Sequence, residues 1–424
     1  MIKKLNSHIS DYRRNLSLFS TNARLFLIGN FFFGLGFSIY QLLLNLYFKE
    51  MGFSESLIGQ VLSAISLGMM LICVPAAMAI QKISIKRILV GSTLLAGLFY
   101  FLQAIITGKQ MLLLVSFMVG VTMSFSRVAI APFLMRNSTP EERTHLFSLN
   151  FGTTLLAGTI GSLGGGYLTS LWSKISGSQV LGFRYALFSG VFLGLLGIIP
   201  FSLIKKTDRD QLSTTNGFDL NRNLLRERGN VLLKLLLPYF ILGLGAGLVI
   251  PFLNLYFRDR FNLSAGTIGI YFSLLQFVML TGILIGPILS RKSGMIKTIV
   301  YTQLASIPFM LILAFTFNNT LAVLAFLLRG SLMNMSQPIS TNFTMEKVKE
   351  DEQPLTNSLM MLAWTSSWAI VASLGGNLIS RHGFTLPLLI AVVLYVISSL
   401  LYLKFFSGKE DIKMGKITTI LRQA

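Results

Sequence analysis

Residues 45–50 read Asn-Leu-Tyr-Phe-Lys-Glu and residues 254–259 read Asn-Leu-Tyr-Phe-Arg-Asp, so one hexapeptide pattern occurs twice, 209 positions apart. Shorter matches at nearly the same spacing lie on both sides of it. They pair 34–36 with 243–245, 58–59 with 268–269, and 162–165 with 373–376. A spacing that is kept over so much of the sequence predicts a chain built from two similar halves.

Charged residues are few and unevenly placed. Of the 424 residues, 53% are hydrophobic and 12% are charged, against roughly 25% charged in soluble domains. Most of the uncharged stretches reach the roughly 20 residues that one helix needs to cross a bilayer. Their apolar runs are continuous rather than alternating, which predicts helices and not barrel strands. The expected helices are 24–48, 56–80, 87–107, 111–135, 146–171, 184–204, 233–257, 264–290, 297–317, 320–342, 355–379 and 385–406.

Six helices are an even number, so the two halves should enter the membrane in the same orientation, as a parallel repeat. We therefore expect an all-α integral membrane protein with twelve transmembrane helices in two pseudo-symmetric six-helix bundles. The expected parts are an N-terminal tail (1–23), a first bundle (24–204), a middle loop (205–232), a second bundle (233–406) and a C-terminal tail (407–424).

The basic residues predict the orientation. If both termini are cytoplasmic, the segments on that side hold 27 Lys and Arg and the opposite loops hold 7. This bias follows the positive-inside rule and predicts a multi-pass protein of the cytoplasmic membrane with both tails inside. The lipid bilayer is then the main partner, and the net charge of +20 needs no nucleic acid to explain it.

Residues that carry common catalytic chemistry are nearly absent from the expected spans. The single cysteine, Cys73, lies in the second span, and His8, His145 and His382 lie in tails or loops. No phosphate-binding loop of the G-x-x-x-x-G-K-[ST] type occurs. We expect no enzyme activity, no catalytic residues, no metal site and no cofactor, so an ion or substrate gradient would supply the energy for any transport.

Two segments resemble a known family. Residues 77–87, between the second and third helices, are similar to G-x-x-x-D-[RK]-x-G-[RK]-[RK], with Gln81 in place of the acid. The second copy, 287–297, has Arg291 at that position. With the repeat, this pattern resembles the major facilitator superfamily over essentially the whole chain, and residues 131–143 are similar to its bacterial members.

The resemblance implies a secondary transporter that moves a small-molecule substrate by alternating access, as a monomer, with protons as one candidate coupling ion. The fifth helix is similar to the drug–proton antiporter motif G-x8-G-x3-G-P-x2-G-G without its proline. The small residues that remain are Ser148, Ala157, Gly161, Ser162, Gly165 and Gly166.

Acidic residues are excluded from the middle of the membrane. All 16 Asp and Glu lie outside the expected spans, whereas proton-coupled carriers usually place a titrating group inside the membrane. Glu50 and Asp259, at matching helix ends, are therefore the candidate gating or coupling acids, and Asn45 and Asn254 are candidate gate residues. The alternative is that the two acids only neutralise basic neighbours at the helix ends.

Two arginines lie inside expected spans. Arg329 is near mid-depth, where an arginine is costly unless it meets a cavity or a partner, so it either contacts substrate or bonds a neighbouring helix. Arg127 is nearer the cytoplasmic end of the fourth helix. It either extends to the headgroups or takes part in the pathway as a gating or coupling residue.

Polar and aromatic residues at helical spacing suggest a binding cavity. Asn30 and Gln41 share a face of the first helix with Asn45, and the resemblance implies that this helix lines the central cavity. Trp364 and Trp368 lie one turn apart at mid-depth, where they could stack on a substrate or pack against a helix or lipid. Weaker candidates for substrate binding are Gln276 and Asn334.

Three functions remain open from the sequence. The first is an exporter of amphipathic or drug-like compounds, which the aromatic content and the fifth-helix motif favour. The second is a carrier or flippase for an anionic metabolite or lipid that uses Arg329. The third is a membrane receptor or scaffold without transport.

Overall fold

The computed structural model describes residues 19–205, 222–349 and 352–423, and within these ranges the chain is helical with short connections. Most of the expected N-terminal tail and middle loop lie outside the described residues. Twelve helices, α1 to α12, follow one another along the chain. They are Thr21–Glu50, Glu55–Lys82, Ile85–Ile105, Lys109–Arg136, Pro140–Ser176, Gln179–Leu195 with Ile198–Leu203, Arg222–Val249 with Leu253–Phe261, Ala265–Ser293, Met295–Phe315, Asn319–Glu346, Gln353–His382 and Thr385–Gln423.

This architecture confirms the fold expected from the sequence, but the helix ends differ. Helix α5 begins six residues before the expected 146, because Thr139 and Glu142 form a capping box and Pro140 occupies the first turn, where proline is favoured. Helix α12 continues to Gln423 instead of ending at 406. The segment 407–423 contains no proline that would interrupt the helix.

Two helices are interrupted. Helix α6 breaks between Leu195 and Ile198, and α7 breaks at the 3₁₀ turn Ile250–Phe252. The second break contains Pro251, whose ring prevents a regular α-helical turn. This break lies just before Asn254. It leaves the Pro251 carbonyl oxygen free to accept a hydrogen bond from Asn45.

By length and composition, eleven of the described helices are apolar enough to cross a membrane. The exception among the twelve is α10, which carries Arg329, Asn334 and Gln337 within its span. Helix α10 packs along α8 and α9 of the second bundle, so it crosses with its neighbours, although its hydropathy alone would not show it.

The two membrane sides differ in how the halves pack. We call the side with the α1–α2 and α7–α8 connections the distal side and the side of the α6–α7 connection the proximal side. At the distal side one apolar cluster joins both halves, for example Leu43 with Phe252. At the proximal side there are two separate clusters, one around Phe26 and Phe133 in the first half and one around Ile299 in the second.

Glycines bring the halves into backbone contact near the distal side. A Cβ at Gly59 would lie 2.5 Å from the Ala372 carbonyl oxygen, and a Cβ at Gly269 would lie 2.4 Å from the Ser162 carbonyl oxygen. The α2–α11 and α5–α8 contacts are thus the same contact repeated at a shift of 210. The match of 162–165 with 373–376 is therefore one residue out of the packing register, because Ser162 corresponds to Ala372.

The twelve-helix order places the α9–α10 and α10–α11 connections on opposite sides of the membrane. In a Cys73→Ser background, single cysteines at Asn318 and at Lys347 should react with a membrane-impermeant maleimide from opposite sides. Labelling of intact cells compared with inverted vesicles measures this. Equal accessibility of both positions from one side would contradict the crossing of α10.

Candidate functional site

Asn45 and Asn254 join the two halves at the distal side. The Asn45 Nδ2 donates to the Pro251 carbonyl oxygen at 2.6 Å, and the Asn254 Nδ2 donates to the Leu42 carbonyl oxygen at 2.8 Å. Leu42 and Pro251 differ by 209 positions, as the two asparagines do, so this is one contact repeated about the pseudo-twofold axis. The break in α7 is compatible with this contact. The Leu255 N–H donates to the Asn254 Oδ1 at 2.9 Å, so the asparagine side chain also bonds the backbone at the start of the second α7 segment.

Charged side chains continue this contact outward by one turn. The Arg258 Nη2 lies 2.5 Å from the Glu50 Oε2, and the Lys49 Nζ lies 3.9 Å from the Asp259 Oδ2. Lys49 corresponds to Arg258 in the repeat, and Glu50 corresponds to Asp259. The two ion pairs are therefore equivalent about the pseudo-twofold axis, and each joins one half to the other. Lys49 also pairs with Glu55 of α2. All of these groups are partly exposed, so solvent screens them and their energetic contribution is modest.

We call the asparagine contact and the ion pairs together the distal gate. The shared apolar cluster and the glycine contacts lie at the same level. Asn45 and Asn254 are each 3% exposed, so water does not pass between the halves here. In this structure the distal side is closed.

One residue of α1 below the distal gate is nevertheless exposed. Gln41, one turn from Asn45 on the same face of α1, is exposed, while residues 42–48 are buried. It lies about 14 Å along the helix from Glu50, so the closed distal gate does not give access to it. We interpret its exposure as access to a central cavity between the halves that opens on the proximal side, where the apolar clusters are separate.

The first half provides a polar wall for this cavity. The Asn30 Nδ2 of α1 donates to the Asn150 Oδ1 of α5 at 3.0 Å, and both side chains are half-buried. Thr154, one turn further along α5, is exposed. Asn150 was not among the residues expected from sequence, because a single asparagine near the end of a span carries no distinguishing pattern.

The second half provides an aromatic wall. The ring centroids of Tyr239 and Trp364 are 5.3 Å apart, and those of Trp364 and Trp368 are 6.0 Å apart. The Trp368 Nε1 is buried and has no hydrogen-bond partner among the described residues. Tyr239 corresponds to Asn30 at a shift of 209, so the two walls differ chemically at equivalent positions.

A sequence profile of the Major Facilitator Superfamily matches residues 26–372 and 235–418. The chain belongs to this superfamily. Its polytopic fold is accordingly that of a membrane transporter, and superfamily members bind small-molecule substrates. No curated protein matches the sequence.

Solved structures of superfamily members share the fold at low sequence identity. The nucleoside transporter NupG is 15% identical with a TM-score of 0.70, covering 92% of this chain and 99% of that chain. A bacterial homologue of the human lysosomal transporter Spinster, inward-facing and occupied, is 14% identical with a TM-score of 0.74, covering 89% and 95%. The xylose transporter XylE from E. coli, in an inward-open conformation, is 13% identical with a TM-score of 0.71, covering 91% and 95%.

Arg329 of this superfamily member is held within the second half. Its side chain is 5% exposed, and its Nη2 donates to the Tyr395 hydroxyl of α12. The guanidinium carbon lies 5.7 Å from the centre of the same ring. This placement favours structural bonding to a neighbouring helix over contact with substrate.

The contacts of Asn334, Gln276 and Arg127 do not assign these residues to substrate binding or gating. The Asn334 Nδ2 donates to the Gly330 carbonyl oxygen of its own helix at 2.8 Å. The Gln276 amide lies at the α5–α8 contact, where a Cβ at Gly158 would be 2.9 Å from its Nε2. Arg127 is exposed, and no carboxylate of the described chain pairs with it.

Reversing one gate charge should open the distal side. Arg258→Glu places two carboxylates together, and repulsion of about 1 kcal/mol should raise labelling of a Gln41→Cys, Cys73→Ser protein from the distal side by about threefold to tenfold. Adding Glu50→Arg restores the pair and should restore protection. Arg381→Glu, an exposed reversal elsewhere on that side, is the control. Equal labelling of all variants would show that the ion pairs do not hold the gate.

The bond between Arg329 and Tyr395 should affect stability. Tyr395→Phe leaves a buried guanidinium without its acceptor and should cost about 1–3 kcal/mol, measured as a lower melting temperature of the purified protein in detergent. Tyr185→Phe, on the partly exposed surface of α6, should leave the melting temperature unchanged. A Tyr395→Phe protein as stable as the wild type would mean that Arg329 finds other partners.

Proposed function

We propose that the chain is a secondary transporter for an amphipathic small organic molecule, and that the structure represents its state open to the proximal side. The observation that supports the proposal is the different chemistry of the two halves at equivalent positions. Asn30 and Asn150 offer amide groups on one side, and Tyr239, Trp364 and Trp368 offer ring surface on the other.

A molecule with a polar end and an apolar body fits between such walls. Aromatic side chains contribute about 0.5–1.5 kcal/mol per ring contact beyond the burial of area. The polar groups orient the ligand, because an amide left without a partner in a closed cavity costs free energy. A purely polar solute would leave the ring surfaces without contact, and a purely apolar one would leave the asparagines unpaired.

The transport cycle alternates closure between the two sides. The mirrored contacts of the distal gate hold the halves together at one end and leave the proximal ends free to separate. Opening of the distal gate with closure of the proximal ends completes the exchange. If protons drive the cycle, Glu50 and Asp259 are the acids placed to couple protonation to opening, because they pair with Arg258 and Lys49 across the gate.

For orientation, we propose that the proximal side is cytoplasmic, that the chain lies in the cytoplasmic membrane, and that it acts as a monomer. The distribution of Lys and Arg supports this orientation. We further propose export as the direction of transport. The cavity would then take up its substrate from the cytoplasm, and the small residues of α5 resemble the drug–proton antiporter motif.

Transport in proteoliposomes with an imposed pH gradient tests the proposal, with a fluorescent aromatic amphiphile as substrate. Trp364→Ala and Tyr239→Ala should each raise the KM by about tenfold, since each removes one large ring contact. Trp172→Ala, which removes a tryptophan from the α5–α6 contact beside Ser189 and Tyr185, is the control and should leave the KM at the wild-type value. Wild-type transport by both cavity variants would contradict the aromatic wall, and no transport by the wild-type chain would contradict the function.

A further inference from the structure

The α2–α11 contact between the halves extends well below the distal gate. The Ser373 N–H of α11 donates to the Ser63 Oγ of α2 at 2.8 Å. Further along, the Cys73 Sγ of α2 donates to the Met361 Sδ of α11 at 3.7 Å. Cys73 is 5% exposed and lies about 21 Å along α2 from Gly59, the glycine of the distal contact. On this side of the molecule the two halves therefore stay in contact toward the proximal ends of the helices.

The equivalent contact on the other side, between α5 and α8, is open at the same level. At the shift of 210 that relates the two contacts, Cys73 corresponds to Ile283 and Met361 corresponds to Phe151. The Phe151 side chain is 42% exposed and Ile283 is half-buried. Each is less covered than its counterpart, although the two positions repeat the same place in the fold.

Phe151 and Ile283 lie on helix faces that meet nearer the distal gate. Gly158 of α5 and Gln276 of α8 touch, because a Cβ at Gly158 would lie 2.9 Å from the Gln276 Nε2. Each of these residues is about two helical turns from Phe151 or Ile283 in its own helix, so it shares the same face. About 10 Å further toward the proximal side, the two faces no longer cover each other. We call this uncovered stretch, at Phe151 and Ile283, the α5–α8 gap.

Burial along α2 and α8 differs in the same way. The proximal half of α2 buries one stripe of side chains, which are Met69, Cys73, Ala76 and Ile80. Their counterparts on α8 are Met279, Ile283, Gly286 and Ser290, of which only Gly286 is buried. Gly286 packs on α10 of its own bundle, where a Cβ would lie 2.8 Å from the Met335 carbonyl oxygen. The proximal half of α8 is thus supported by its own bundle and uncovered toward α5.

The α5–α8 gap lies within the apolar part of both spans. Neither α5 between 146 and 173 nor α8 between 265 and 290 contains a charged residue. Phe151, Met279 and Ile283 offer ring and alkyl surface. A polar solute that crosses such a surface loses hydrogen bonds to water without replacement, whereas an alkyl chain has none to lose.

The gap is next to the polar wall. Asn150, which precedes Phe151 in α5, accepts a hydrogen bond from Asn30, and Thr154 is exposed one turn further along. A molecule whose alkyl chain lies at Phe151 can therefore place its polar end against these amides.

We propose that the substrate is an amphiphile with an alkyl chain, and that it enters from the proximal leaflet of the bilayer through the α5–α8 gap. The α2–α11 contact stays closed, so entry is from one side of the molecule. This inference rests on the proposed function and narrows its substrate to amphiphiles that partition into the membrane.

Disulfide cross-linking tests the difference between the two contacts. Met361→Cys with the native Cys73 should form a disulfide in membranes treated with copper phenanthroline. Phe151→Cys with Ile283→Cys, in a Cys73→Ser background, should not form one. A longer bis-methanethiosulfonate reagent should bridge the second pair, which controls for the reactivity of its thiols. Mass spectrometry of the linked peptides measures each product, and equal disulfide formation by the two pairs overturns the gap.

Transport in proteoliposomes tests the entry path, with a dodecyl glucoside and an ethyl glucoside that carry the same nitrobenzoxadiazole dye on the sugar. Because the dodecyl chain partitions into the bilayer, the wild type should transport that compound with a KM at least about tenfold lower. Ile283→Cys in the Cys73→Ser background, modified after reconstitution with N-cyclohexylmaleimide, should lose most transport of the dodecyl compound and keep that of the ethyl compound. Leu284→Cys, modified in the same way at a neighbouring position that is 65% exposed, is the matched control and should transport both compounds as before modification.

The outcomes separate this inference from the proposed function. Equal KM values for the two glucosides overturn entry through the gap while the transport function stands. The same holds if modification of Ile283→Cys removes transport of both compounds alike or of neither. Transport of neither compound by the wild type contradicts the function, and the cross-linking result then decides whether the gap exists. If Ile283→Cys does not fold, the same modification of Phe151→Cys decides.

Discussion

Two amide groups that exchange hydrogen bonds across the pseudo-twofold axis determine the state of this protein. Asn45 bonds the backbone of α7 and Asn254 bonds the backbone of α1, so each half holds the other at the same level. The contact requires the interruption of α7 at Pro251 and close approach of glycines on the neighbouring helices. With the halves in contact at this end and their proximal apolar clusters separate, the proposed cavity would lie between them.

The repeat is kept where the halves move against each other and lost where a ligand would lie. The gate residues correspond pair by pair, Lys49 to Arg258 and Glu50 to Asp259. In the cavity, Asn30 corresponds to Tyr239, which is a change from amide to ring. A symmetric gate gives both halves the same closing contact, whereas unlike walls can bind a molecule whose two ends differ. Under the proposed function, the division separates residues that serve the movement from residues that serve recognition.

Much of the fold could be predicted because a bilayer imposes its constraints locally. A span must be long, apolar and free of charge, and eleven helices show this directly. The cavity depends on contacts distant in sequence, which local patterns do not contain. Arg329 meets Tyr395, which is 66 residues away, and no spacing rule connects them. Tyr40 of α1 and Tyr100 of α3 are two of 12 tyrosines, and only the stacking of their rings, with centroids 3.9 Å apart, sets them apart.

The distal gate joins two kinds of contact that respond differently to the external medium. The amide-to-carbonyl bonds of Asn45 and Asn254 involve neutral, buried groups, so dissolved ions do not weaken them. The pairs of Glu50 with Arg258 and of Lys49 with Asp259 are partly exposed and are screened over a Debye length of about 8 Å at physiological ionic strength. Salt on the distal side would therefore weaken the outer ion pairs of the gate while leaving the buried amide contacts intact. The gate therefore has an outer layer that is sensitive to ionic strength and an inner layer that is not.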